Sequence, residues 1–84
     1  MTVQLTIRYF AAARAAAGTD EQIIAVEPGT TIAALVDRLG ADNPELAKVL
    51  QRCSFLLDGV ATRDRDTLLD GAGSVDVLPP FAGG

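Results

Sequence analysis

Hydrophobic and polar residues alternate from the start of the chain: Val3, Leu5, Ile7 and Tyr9 share one parity, Gln4, Thr6 and Arg8 the other. A period of two is that of a strand with one face in a core, so Val3–Phe10 is expected as a half-buried strand. The pattern then changes to AAARAAA at 11–17, a run of the highest helix propensity, with Gly18 placed to end a short helix in a left-handed cap. Gln22–Glu27 reads as a second strand with Ile24 and Val26 inward, and Glu27-Pro28-Gly29-Thr30 as a turn, because proline presets φ and glycine supplies a positive one. Thr30 or Thr31 caps the main helix, in which Ile32, Leu35, Val36 and Leu39 form one apolar stripe and Gly40 closes the element. Asn43-Pro44 is an N-cap followed by proline at the first helical position, and Leu46, Val49 and Leu50 share a face of a shorter helix running to about Arg52.

The second half of the chain reads as strands. Cys53–Leu57 is apolar, Asp58-Gly59 is the strongest hairpin signal in the sequence, and Val60–Thr62 begins the return. Arg63–Asp66 is expected as a solvated loop with one or two of Leu68 and Leu69 packed beneath it, and residues 70–73 as a turn. Ser74–Leu78 is the last strand, with Val75 and Val77 inward and Asp76 outward. The order strand, helix, strand, helix, helix, strand, strand, strand suits an α+β domain with a mixed sheet and its helices gathered towards one face. Placing the first and last strands side by side in the middle would protect the most regular strands from edge pairing.

Pro79-Pro80 halts the last strand, which divides the chain into a domain at 1–78 and a flexible tail at 79–84. Six extended residues reach on the order of 20 Å, enough to enter a neighbour's cleft. Phe81 is the candidate anchor in a partner, flanked by Pro80 and Ala82, while Gly83 has the narrowness to thread a channel and Gly84 presents its α-carboxylate. Partner binding is expected to combine this tail with an exposed apolar patch of the sheet.

Composition narrows the setting. With 84 residues the chain is one small domain, and 49% hydrophobic content places it among globular proteins. A balance of 11 acidic against 7 basic residues, net −4, argues against nucleic acid or an anionic membrane and favours a basic protein partner. The alanine-rich segment 11–17 is interrupted by charge and does not read as a secretion signal. The single cysteine suits a reducing compartment, so a cytoplasmic location is expected.

Candidate chemistry within the domain is sparse. There is no histidine to act as a base or a metal ligand. Gly71 and Gly73 read as a turn and not a nucleotide loop, and Asp64, Arg65, Asp66 and Asp70 as a solvated face without the spacing of a calcium site. Cys53 reads as a structural cysteine, although Arg52 beside it would lower its pKa if both were exposed. No bound cofactor or metal is expected.

Three segments carry a resemblance that covers essentially the whole chain: FAAARAAAG (Phe10–Gly18), VEPGTTI (Val26–Ile32) and LPPFAGG (Leu78–Gly84). On them the chain resembles the ubiquitin-like sulfur-carrier proteins, among which are the small subunits of molybdopterin synthase. The resemblance implies a ubiquitin-like β-grasp roll whose opening hairpin contains a helical insertion. It also implies that a ubiquitin-activating-type enzyme uses ATP to adenylate the Gly84 carboxylate, which is then converted to a thiocarboxylate. The domain would be a non-catalytic, sulfur-donating subunit, and its partner the large catalytic subunit of the synthase. Carriers for thiazole, cysteine or tRNA thiolation, and a modifier joined to lysines, share the same signature. Two departures stand out: DGAGS (Asp70–Ser74) is one residue longer than the common form, and Phe81 is bulkier than the usual aliphatic residue. Arg14 fits the family pattern and is expected to make a surface ion pair or an interface contact.

Overall fold

β1 (Val3–Tyr9) buries Leu5, Ile7 and Tyr9 on one face, as its alternation requires, and lies inside the hydrogen-bonded sheet with a strand on either side. In the computed structural model, which describes residues 2–80, it is followed by α1 (Ala11–Ala17), β2 (Glu21–Val26), α2 (Ile32–Gly40), α3 (Pro44–Leu50), β3 (Ser54–Leu57), β4 (Val60–Thr62) and β5 (Ser74–Leu78). The strand order is β2-β1-β5-β3-β4. β1 pairs antiparallel with β2 across the α1 insertion and parallel with β5, while β3 pairs antiparallel with both β4 and β5. This mixed sheet, with three helices on one face, is the ubiquitin-like β-grasp roll implied by the resemblance.

The core lies between that face and the helices. Leu5, Ile7, Val75, Val77 and Phe55 from the strands meet Ala13, Ile32, Leu35, Leu46 and Leu50 from the helices. Ile32, Leu35 and Leu50 are fully buried, so truncating any one to alanine is expected to cost about 2–5 kcal/mol.

The helix ends follow the capping chemistry read from the sequence, with one choice resolved. Thr31 caps α2 by accepting from the Ala34 N–H at 3.1 Å, whereas the Thr30 hydroxyl donates to the Glu27 carbonyl in the preceding turn. Asn43 caps α3 by accepting from Leu46 N–H, and its amide also donates to the Ala16 carbonyl, tying α3 to α1. Gly18 ends α1 at φ 78°, with its N–H on the Arg14 carbonyl. Gly40 is glycine for a different reason from the one expected. It is the last residue of α2, the chain continues with Ala41 in right-handed helical geometry, and a Cβ at Gly40 would stand 2.8 Å from the Ala47 Cβ. Its small size lets α2 and α3 approach.

Other boundaries are shorter than expected. β1 stops at Tyr9 because Ala11 has φ 50°, which turns the chain into α1, although the Phe10 N–H still bonds the Val77 carbonyl of β5. Cys53 precedes β3, and α3 ends at Leu50. Asp58 and Gly59 take positive φ values of 49° and 87°, the hairpin geometry the sequence called for. The loop at 63–66 departs from a purely solvated reading: Arg65 is half-buried, donates to the Leu50 and Gln51 carbonyls at the end of α3, and lies over the Phe55 ring at 5.2 Å. Of the two leucines that follow, Leu69 is buried and Leu68 exposed.

Three substitutions test these assignments by urea unfolding. An alanine held at positive φ costs about 1–2 kcal/mol, so Ala11→Gly is expected to match or exceed wild-type stability, whereas Ala15→Gly within the same helix loses about 1 kcal/mol. Gly40→Ala is expected to lose about 1–3 kcal/mol through overpacking, despite its better helix propensity. A gain in stability for Gly40→Ala would show that Ala47 yields freely.

Candidate functional site

Register determines which residues share the outer face of the sheet, the face without helices. Arg8 of β1 lies opposite Glu21 of β2 and Asp76 of β5, and Asp76 lies opposite Leu56 of β3. The next outward position beyond Asp76 is Leu78, paired with Ser54, and the next beyond Arg8 is Phe10. Phe10 is 42% exposed, while Leu56 and Leu78 are half-buried. An apolar strip of Phe10, Leu78 and Leu56 therefore reaches the end of β5, next to Pro79-Pro80. Parity could have located these residues in the sequence, since each is an apolar side chain at an otherwise polar, outward position.

Loop anchors position the approach to β5. The Asp58 carboxylate accepts from the backbone N–H groups of Gly73 and Ser74 at 3.0 and 2.9 Å, joining the β3–β4 turn to the start of β5. Asp70 accepts from the Gly29 N–H at 2.9 Å, and Asp64 from the Asp66 N–H. The acidic residues at 58, 64 and 70 thus act on backbone donors across and within loops, and no group of three or more His, Cys, Asp or Glu among the described residues is placed to hold a metal ion.

The root of the tail borders a shallow cleft of about 220 Å³ lined by Ala12, Val49, Arg52, Pro79 and Pro80. Pro80, an expected partner contact, is exposed beside it. The other expected site residues, Phe81, Ala82, Gly83 and Gly84, lie outside the described residues. Arg14 makes the expected surface pair, with its Nε 3.6 Å from Asp20, both side chains largely in solvent.

Cys53 is buried, and its thiol donates to the Val49 carbonyl at 3.2 Å. Burial pushes the thiol pKa up, partly offset by the charge of Arg65 rather than of neighbouring Arg52. The arrangement holds the sulfur neutral and packed, which suits structure and opposes nucleophilic use. No helix among the described residues is long and apolar enough to cross a membrane.

Known proteins resemble the chain over nearly its full length. The model of the ThiS family matches residues 7–84. The molybdopterin synthase sulfur carrier subunit of Chlamydomonas reinhardtii is 33% identical over 84 residues, covering 98% of this chain and all of the relative. In fold, the small archaeal modifier protein 1 of Methanosarcina acetivorans superposes with a TM-score of 0.80 at 24% identity, covering 100% of this chain and 99% of that one. A chain from the complex of subunits 1 and 2 of molybdopterin-converting factor of Helicobacter pylori gives a TM-score of 0.69 at 18% identity, covering 98% of this chain and 100% of that one.

The Cys53 assignment has two measurable consequences. Alkylation of the native protein at neutral pH is expected to be about tenfold or more slower than in denaturant. Burial raises the pKa of Tyr9 as well, so both groups bind their protons more tightly folded than unfolded. The stability they contribute is full below the ordinary thiol range and is lost as pH rises through the raised folded values. A melting temperature that climbs with alkalinity would contradict this.

Proposed function

The chain belongs to the ThiS family, and from that premise we propose that it is the sulfur-carrier subunit of a molybdopterin synthase, with Gly84 as the reacting terminus. The observation that carries the reading is the full-length likeness to a curated molybdopterin synthase sulfur carrier subunit. The absence of histidine and the inert surroundings of Cys53 accord with a protein that is the substrate of chemistry performed by its partners.

A carboxylate is a poor electrophile because its leaving group would be an oxide. On an adenylating enzyme, the Gly84 carboxylate attacks the α-phosphorus of ATP and expels pyrophosphate, leaving an acyl-adenylate. A donor persulfide then attacks the carbonyl carbon and displaces AMP. A second thiol cleaves the resulting sulfur–sulfur bond, releasing the thiocarboxylate and a disulfide. Gly83 and Gly84 carry no side chain to obstruct approach to that carbon. In the synthase, Phe81, with Pro80 and Ala82 beside it, anchors the tail in the large subunit, where the thiocarboxylate gives its sulfur to a pterin precursor. The strip of Phe10, Leu56 and Leu78 forms the apolar centre of the same interface.

Intact mass spectrometry tests this chemistry. After incubation with an adenylating enzyme, ATP and a persulfide donor, the chain is expected to exchange one oxygen for sulfur. Deleting Gly83-Gly84 abolishes the exchange and leaves the melting temperature nearly unchanged. Lysine adducts without the exchange would replace the carrier reading with that of a protein modifier. Sulfur loading without molybdopterin formation by a cognate pair would assign the chain to another sulfur-transfer pathway.

A further inference from the structure

The outer sheet face carries a charged row whose internal pairing is incomplete. Glu21, Arg8 and Asp76 follow one another across β2, β1 and β5, so one cation stands between two carboxylates. Asp76 is only 16% exposed, and its Oδ1 is closed to solvent and has no hydrogen-bond partner among the described residues. The nearest cation, an Arg8 guanidinium nitrogen, lies 3.9 Å away, beyond hydrogen-bond distance, on a side chain that is 52% exposed. Ser74, next outward on β5, does not serve Asp76, because its hydroxyl is directed to Asp58. A carboxylate oxygen withdrawn from water without a hydrogen bond destabilises the free domain. Asp76 sits between Leu56 and Arg8, one outward position from Leu78, within the apolar strip at the root of the tail.

We propose that Asp76 is a specificity-determining residue that receives a basic side chain, arginine or lysine, from the large synthase subunit when that subunit covers the outer face. This rests on the carrier reading given above. On docking, the half-exposed Arg8 swings from Asp76 towards Glu21, its neighbour on the other side, and the incoming cation takes the vacated oxygen. The row then reads acid, base, acid, base, with every charge paired. The negative balance of the chain favours this approach, and closure by the apolar strip makes the new pair stronger than it would be in water. Arg8 acts here as a competitor that holds the site in the free protein.

The test is a titration of full-length wild-type, D76N and R8Q chains with the large subunit, together with thermal melts of each free chain. D76N is expected to bind about 30-fold or more weakly, because it leaves the partner's cation buried without its counter-charge. Its own melting temperature holds or rises. R8Q is expected to bind as tightly as wild type or more tightly, since the competitor is gone. Binding of D76N within about threefold of wild type overturns the inference while leaving the carrier reading intact. So does an equal loss of melting temperature in D76N and R8Q, which would make the pair an internal brace. A wild-type chain that fails to bind overturns the carrier reading and this inference with it.

Discussion

The parallel pairing of β1 with β5 is the constraint from which the rest of the molecule follows. It joins residues near the start of the chain to the strand that carries the tail, Ile7 to Val75 and Tyr9 to Val77, and it buries all four. Parallel neighbours require a long crossover, and here the crossover contains β2, all the helices and the β3–β4 hairpin. Because β5 is held on both sides, by β1 and β3, the tail departs from the middle of the sheet and not from a fraying edge. That position also sets Phe10 and Leu78 near one another on the outer face.

The edges are managed by different means. β4 has three residues, too short to template much pairing. β2 is longer, and contacts occupy parts of its edge: Thr19 donates to the Glu21 carbonyl, and Arg38 reaches from α2 to the Ala25 carbonyl. Ile23, 66% exposed, lies between these guarded points. The sheet thus offers a partner its outer face more readily than its edges.

Much of this fold was legible because periodicity reports burial. The odd positions of β1, the stripe Ile32, Leu35, Val36 and Leu39, and the pair Val75 and Val77 all contribute to the core. Caps and turns at Gly18, Asn43 and Asp58-Gly59 were legible for the equally local reason that few residues satisfy those backbone geometries. Hidden were the contacts that depend on where distant segments meet. The charged run 63–66 gives no sign that Arg65 will reach back to α3, nor does Asp58 alone reveal that its carboxylate will receive the first N–H groups of β5. Gly40 looked like a stop signal, and its packing role appears only once Ala47 is placed against it. The outer strip needed the strand register before its residues could be assembled.

The proposed function makes the terminal glycine the reacting group, the domain its holder and the partners the source of catalysis. Its central claim is tested most directly with a chain prepared chemically as the Gly84 thiocarboxylate and mixed with a molybdopterin synthase large subunit and the pterin precursor, without ATP or an activating enzyme. The account predicts that molybdopterin forms as the thiocarboxylate reverts to carboxylate, until the supplied sulfur is consumed. Stable binding of the thiocarboxylated chain to its cognate subunit with no molybdopterin formed would contradict it.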